Sequence, residues 1–216
     1  MQISLALVTE GRTDVEFFRP LLGRVVRDIC ASSKRSIDIA GILPVPVRVE
    51  SGENYSVALA RAVEELSDAF HILLFHADGA GDPNGVRAGR VTAADVAVRG
   101  TLGKRSLVAV VPVREMEAWA IADGEAIRAV VGTSRSNTEL GLPRRPLDAE
   151  AVADPKAMLD AVIVRALSST RRRRRTGADF LAMIAETADL NVLRQLPSFA
   201  LCEQDLTAAM REGGFL

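Results

Sequence analysis

Apolar and polar positions alternate between two periods along the first half of the chain. The apolar run QISLALVT at residues 2–9 indicates a buried strand, and residues 13–29 then place apolar side chains at helical spacing. Strand-like and helix-like segments continue to alternate, at residues 41–50, 54–69, 71–75, 92–102 and 105–113. Because parallel strands need crossover connections, this alternation predicts an α/β fold with a mostly parallel sheet covered by helices on both faces.

Local features refine two of these segments. Thr13 and Glu16 have the spacing of a capping box, which predicts that the first helix begins there. Pro20 lies inside that helix and is expected to kink it. The segment at 41–50 contains two prolines, which indicate an edge strand because proline lacks the amide donor that a central strand needs.

The strand pattern disappears after about residue 114. Helical patterns follow at residues 115–132, 154–167, 177–188 and 202–214. Residues 133–148 are expected to form an exposed connection, and residues 168–177 a charged interruption. We therefore expect an α/β core at residues 1–123 with a helical C-terminal region at residues 124–216 packed on it.

Composition indicates a compact protein but does not identify a partner. The chain has 216 residues, 48% of them hydrophobic, and no apolar run approaches the roughly 20 residues of a membrane-spanning helix. Its beginning lacks the basic lead and cleavage site of a signal peptide, so a cytoplasmic protein without membrane association is expected. The two cysteines, Cys30 and Cys202, are expected to be reduced thiols.

Charge and aromatic content limit how this chain could bind nucleic acid. A net charge of -1 gives no general attraction to phosphate backbones, so binding would depend on local basic patches or a bound metal ion. Aromatic residues make up 4% of the chain, with one tyrosine and one tryptophan. This scarcity argues against a surface that stacks single-stranded bases. The tryptophan, Trp119, has apolar neighbours and is expected in the core.

Acidic residues follow three of the predicted strands. Glu10 follows the first strand, Asp78 and Asp82 follow HILLF, and Glu115 and Glu117 follow LVAVVPV. Each has an ordinary explanation on its own, as a strand end, a turn residue or a solvated helix position. All three groups nevertheless fall at the carboxyl ends of strands, where open α/β sheets bind their ligands.

A divalent metal ion is the simplest explanation for such a cluster. Carboxylates brought together repel one another unless a cation compensates their charge. Their hard oxygen atoms suit Mg²⁺, or alternatively Mn²⁺, and the chain lacks the Cys and His sets that would indicate zinc.

Five segments of the chain resemble a known family. VTEGRTDVEFF resembles the glutamate motif of the TOPRIM fold, which topoisomerases, primases and nucleases related to overcoming-lysogenisation-defect proteins share, and HADGAGD resembles its aspartate motif. VPVREMEAWAIAD, DPKAMLD and LPSFALCEQDL resemble, in order, segments of an uncharacterised family of bacterial TOPRIM-like proteins. The glutamate motif alone is moderately specific, whereas the ordered set covers nearly the whole chain and is much more specific.

The resemblance implies a Rossmann-like TOPRIM core and a metal-dependent cleavage site. Glu10 would act as general acid or base, and Asp78 and Asp82 would bind magnesium. The chain departs from the usual Asp-x-Asp motif, because Gly79, Ala80 and Gly81 separate its two aspartates. Glycine permits a loop that could bring them together, but the wider spacing leaves the role of Asp82 and the catalytic competence of the site in question.

Other residues are candidates for supporting roles. Glu117 is the preferred additional metal ligand and Glu115 the alternative, since two residues on a helix diverge by about 200 degrees and only one can face the site. His76 and Arg12 are candidate second-shell residues. A histidine that ends an apolar strand is more often buried and hydrogen-bonded than catalytic.

Basic residues of the C-terminal region could contact phosphates. Lys156, Arg171, Arg172 and Arg173 are the candidates, because guanidinium groups supply both charge and paired donors. The arginine run has an ordinary interpretation as a solvated loop between helices.

Two functions remain in competition at this stage. The first is a magnesium-dependent nuclease acting on DNA or RNA, and the second is a TOPRIM-like module that binds a nucleotide, nucleic acid or protein without turnover. Phosphatase-type hydrolysis ranks last, because the early nucleophile pattern of that class is missing. Many TOPRIM nucleases work beside a separate ATPase, and this chain has no Gly-rich phosphate-binding loop of its own.

Overall fold

The computed structural model describes residues 1–33, 35–103, 105–167 and 175–216. Within these residues, four strands form one sheet in which every neighbouring pair is parallel, in the order β2-β1-β3-β4. The strands are β1 Gln2–Val8, β2 Asp38–Pro44, β3 Ile72–His76 and β4 Ser106–Val110. The predicted α/β fold with a parallel sheet is confirmed.

Helices connect the strands and make up the C-terminal region. The α-helices are α1 Arg12–Ala31, α2 Tyr55–Glu64, α3 Pro83–Val86, α4 Thr92–Leu102, α5 Glu117–Ala120, α6 Gly124–Val131, α7 Asn137–Leu140, α8 Pro155–Ala166, α9 Leu181–Thr187, α10 Leu190–Leu193 and α11 Pro197–Glu212. Short 3-10 helices lie at Ser67–Ala69, Pro146–Ala151 and Gly177–Phe180, and a π-helix at Arg87–Val91 joins α3 to α4.

Alternation along β1 divides the core between the two faces of the sheet. Ile3, Leu5 and Leu7 pack with α1 and the C-terminal helices, whereas Ala6 and Val8 pack with α2 and α4. The same hydrophobic cluster contains α1, one face of the sheet and the helices after β4. The C-terminal helices therefore build one of the two layers that cover the sheet.

The start of α1 differs from the sequence prediction. Gly11, not Thr13, is the N-cap, and the Asp14 carboxylate accepts a 2.7 Å hydrogen bond from the Gly11 amide. Glu16 instead pairs with Arg12 one turn earlier, at 2.9 Å. The predicted Thr13–Glu16 capping box was wrong. The helix begins after Gly11, and Asp14, three residues later, accepts the hydrogen bond from the Gly11 amide. The helix continues through Pro20.

Trp119 anchors the C-terminal region in the core, as predicted. Its side chain is fully buried and lies edge-on against Phe18 and Phe199. The indole Nε1 donates a 2.7 Å hydrogen bond to the Ser198 hydroxyl, which is also in contact with the Glu150 carboxylate. Each polar atom named in this small network therefore has a partner.

Two predictions for the C-terminal region need correction. The segment at 115–132 is two helices, because Asp123 caps α6 by accepting hydrogen bonds from the Glu125 and Ala126 amides. The segment at 133–148 is not simply an exposed connection, because it contains α7 and buries Leu140 completely. The helix α7 has four residues with one apolar side chain among them, which is too short for a periodic signal to reveal it.

No helix in the described parts of the chain is long and apolar enough to cross a membrane.

Candidate functional site

The carboxyl ends of β1 and β3 form the switch point of the sheet. The chain leaves β1 through α1 toward β2 on one side, and it leaves β3 through α4 toward β4 on the other side. The loops that follow two such neighbouring strands diverge and leave a crevice, which is where open α/β sheets bind ligands. Glu10 and Asp78 lie in these two loops.

Close backbone contacts fix the course of the HADGAGD loop. A side chain at Gly79 would place its Cβ 2.1 Å from the Pro112 carbonyl oxygen, so only glycine fits. The next glycine, Gly81, has a φ of +90° and donates a 2.8 Å hydrogen bond to the Val113 carbonyl. The three residues between the aspartates thus let the loop lie against the chain that leaves β4.

This loop gives its two aspartates different surroundings. Asp78 directly follows the buried end of β3, and its side chain is 40% exposed at the crevice. Asp82 is the N-cap of α3 and accepts a 2.9 Å hydrogen bond from the Gly85 amide. Asp82 is therefore engaged with its own helix, and its contacts do not bring it to Asp78.

His76 is the most unusual group at the site. Its ring is 1% exposed, and Nδ1 lies 2.9 Å from the Val110 carbonyl oxygen. Because a carbonyl only accepts, Nδ1 must carry a hydrogen. The other nitrogen, Nε2, has no hydrogen-bond partner among the residues that the structure describes, and it lies 3.5 Å from Asp78 Oδ1 and 3.9 Å from Asp14 Oδ2. A buried polar atom without a hydrogen-bond partner is rare in folded proteins and requires an explanation.

Asp14 belongs to the site, although the sequence reasoning did not select it. Burial raises its pKa, and the neighbouring charges of Asp78 and Glu10 add to the rise, whereas His76 and the hydrogen bond from Gly11 act in the opposite direction. The available signal was its position four residues after Glu10, because a helix that starts between them returns to the same side after one turn.

Glu10 faces the α2 side of the crevice. Its carboxylate is 40% exposed and forms a 2.5 Å ion pair with Arg90 of the π-helix. Tyr55, at the start of α2, is close enough for its pKa to respond to both: burial raises it, Arg90 lowers it and Glu10 raises it. Neither Arg90 nor Tyr55 carried a local sequence signal for function.

Glu117 lies on the opposite side, beyond Asp78. The residue is 7% exposed, and burial raises its pKa to about 7. The carboxylates of Glu115 and Asp78 contribute to that rise, while a backbone hydrogen bond and the Lys156 ammonium oppose it. One oxygen of Glu115, Oε2, is also buried without a hydrogen-bond partner among the described residues. Glu117, Glu115 and Lys156 therefore continue the site along β4.

The remaining candidates lie elsewhere. Arg12 is 91% exposed and pairs with Glu16 on the surface of α1. Arg171, Arg172 and Arg173 lie outside the described residues.

The donors at the site suit a divalent cation in type, although they are not assembled into a complete set. Across the described ranges, no group of three or more His, Cys, Asp or Glu side chains is already arranged to hold a metal ion. The His76 Nε2 atom and the Asp14 and Asp78 carboxylates are the nearest approach to one. The two aspartates would have to turn toward Nε2 to complete a coordination shell.

Fold and site together define an α/β protein with an acidic crevice at the switch point of a parallel sheet. The chain belongs to the family described as Domain of unknown function (DUF4276), whose model matches residues 9–206. Comparison with curated proteins gave no match, and comparison with solved structures gave none.

Proposed function

We propose that this protein is a phosphodiesterase dependent on Mg²⁺ or Mn²⁺, a nuclease of the TOPRIM type that cuts DNA or RNA in the bacterial cytoplasm. The observation that carries the proposal is the buried Nε2 of His76, which has no hydrogen-bond partner within the described parts of the chain and faces Asp14 and Asp78 beside Glu10 at the switch point. The TOPRIM resemblance independently assigns Glu10 and Asp78 to such a site.

The hydrogen bonding of His76 supports a role in metal binding. A histidine that binds a metal through one nitrogen commonly donates its other N–H to a backbone carbonyl, as Nδ1 does here to Val110. In the neutral ring, Nε2 then has a free lone pair for a cation. Asp14 and Asp78 would supply carboxylate oxygens, and Glu117 is the further candidate. Asp82 is less suited, because one of its carboxylate oxygens already accepts a hydrogen bond from the Gly85 amide at the N-terminus of α3.

Two further residues are assigned proton transfer and substrate binding. Glu10 is half-exposed at the rim of the crevice, where it can exchange a proton with water or with the substrate. Lys156 brings positive charge beside Glu117 and could attract a phosphate. A divalent cation, when bound, would activate water and stabilise the leaving oxygen.

Cleavage assays on the purified protein test this proposal. Single-stranded and double-stranded DNA and RNA are incubated with Mg²⁺, with Mn²⁺ and with EDTA. We expect metal-dependent cleavage that Glu10→Gln reduces by about 10²–10⁴-fold, the range of a lost acid–base group. Asp78→Asn should also reduce cleavage, because it removes the charge of a proposed metal ligand. Glu125→Gln is the matched control, because Glu125 is 84% exposed on α6. Cleavage that both site variants leave undiminished would exclude the mechanism.

A non-catalytic binding module is the second candidate. Two observations favour it. Glu10, the expected acid or base, forms an ion pair with Arg90, and Asp82, an expected metal ligand, caps a helix. Calorimetry that detects no binding of Mg²⁺ or Mn²⁺ at millimolar concentration, with no cleavage in the assays above, would select this function. The TOPRIM resemblance adds a separate ATPase as a candidate partner in either case.

A further inference from the structure

A small cleft opens beside Glu10, between the start of α2 and the π-helix. Its volume is about 130 Å³, and its lining residues are Tyr55, Ser56, Phe75, Arg90, Ala93 and Ala94. Drug-sized ligands need about 300 Å³ or more, so this cleft has room for little beyond one flat ring. Its walls are mainly apolar or aromatic, with a single charged group at the side that faces Glu10.

Tyr55 gives this cleft an aromatic wall. It is the single tyrosine of the chain, and it remains 41% exposed. The low aromatic content argued against a surface that stacks single-stranded bases, but one tyrosine beside a cleft suffices for one base. Stacking on an aromatic ring tolerates any base, because every base has a π-face.

Arg90 gives the cleft a phosphate-binding group. Its guanidinium is half-exposed, and its Nη2 atom lies 2.5 Å from a Glu10 carboxylate oxygen. Five N–H donors in a planar fork allow the same group to bind phosphate oxygens. Arg90 also lies in a π-helix, a rare element that is frequently found at functional sites.

Resting on the proposed function, we propose that this cleft is a nucleotide subsite, in which one base stacks on Tyr55 and its phosphate binds Arg90. The phosphate then replaces Glu10 as the partner of Arg90, which frees the Glu10 carboxylate when substrate arrives. A base can enter the cleft only when it is unstacked from its neighbours, so the substrate class is nucleic acid with unpaired nucleotides.

Binding measurements in EDTA test the subsite without requiring cleavage. The probes are a fluorescently labelled short oligothymidylate and an abasic backbone of the same length and charge. For the unaltered protein we expect the base-containing probe to bind about tenfold more tightly, within the range for one stacked base. Tyr55→Ala should remove this difference, whereas Tyr55→Phe should keep it.

The loss of Arg90 should weaken the binding of both probes to the same extent. Arg90→Gln is expected to weaken both and to reduce the salt dependence of binding by about one phosphate contact. The matched controls are Val57→Ala on α2 and Arg99→Gln on α4, both at exposed positions. They should leave binding unchanged.

The outcomes separate this inference from the proposed nuclease activity. Equal binding of both probes by the unaltered protein, or a base preference that survives Tyr55→Ala, would overturn the subsite even if the protein cleaves nucleic acid. A base preference that Tyr55→Ala abolishes would support the subsite even if no cleavage is found.

Discussion

Two groups of buried polar side chains in this protein are built in opposite ways. In the first, the Trp119 indole, the Ser198 hydroxyl and the Glu150 carboxylate satisfy one another between the C-terminal helices. In the second, His76 Nε2 is buried and no described residue forms a hydrogen bond with it, while two carboxylates lie 3.5 and 3.9 Å away. A satisfied network stabilises a fold, whereas an unsatisfied one costs free energy, and that cost is the reason for the proposal that the second group binds a cation.

The largest expected effect comes from breaking the satisfied group. Trp119→Ala removes a fully buried ring and leaves Ser198 without its donor, so unfolding should require about 3–5 kcal/mol less free energy. Urea denaturation followed by circular dichroism measures this change. Trp119→Phe keeps much of the ring volume and should lose clearly less. Equal losses in both variants would mean that the hydrogen bond outweighs packing.

The acidic site should instead make stability depend on pH. Glu117 has a pKa near 7 in the folded protein and an ordinary value when unfolded, so the folded state holds more protons between pH 5 and 7. The free energy of unfolding should therefore fall by up to about 3 kcal/mol as the pH rises through that range. Denaturation in EDTA at pH 5 and pH 8 measures the fall.

Glu117→Gln sharpens this test, because glutamine cannot ionise. The variant should lose most of the pH-dependent fall and be more stable than the unaltered protein at pH 8. Glu125→Gln, at an exposed position, should keep the full dependence. A fall of equal size in Glu117→Gln would assign it to other carboxylates, such as Asp14, whose pKa burial also raises.

The smallest expected effect concerns the unpartnered nitrogen itself. His76→Leu replaces a poorly satisfied polar ring by an apolar side chain, and the Val110 carbonyl still accepts a hydrogen bond from the Ala77 amide. Stability without metal should therefore change by only about 1 kcal/mol. Adding Mn²⁺ at about 100 times its Kd should stabilise the unaltered protein by about 2.7 kcal/mol and the variant much less.

Thermal denaturation with and without Mn²⁺ measures both parts of that prediction. Equal stabilisation of His76→Leu and the unaltered protein would exclude His76 as a ligand of the proposed metal site.

The sheet and part of the site could be predicted from local pattern. Alternating periods in the first half led to the correct α/β fold, and β3 was found because each of its residues is buried. The same reasoning placed Glu10 and Asp78 at strand ends, and the parallel topology then brought them to one crevice.

Residues whose roles depend on tertiary position could not be predicted in this way. Tyr55 and Arg90 reach Glu10 only because α2 and the π-helix cover the same face of the sheet. The wide spacing of Asp78 and Asp82 also has a tertiary cause, the close approach of Gly79 to the chain after β4. The sequence pattern does not reveal that these residues lie close together in the folded protein.

The contact at Gly79 also determines where this fold can accept inserted residues. Backbone atoms of two strand extensions hold the loop from His76 to Gly81, so the strand pair fixes the position of Asp78. Extra residues between His76 and Gly79 would displace that carboxylate from the crevice. Extra residues in the exposed segment before α2 would lengthen only that loop and would not move the carboxylates of the acidic site. That segment is therefore the better point for grafting a peptide or a fluorescent label.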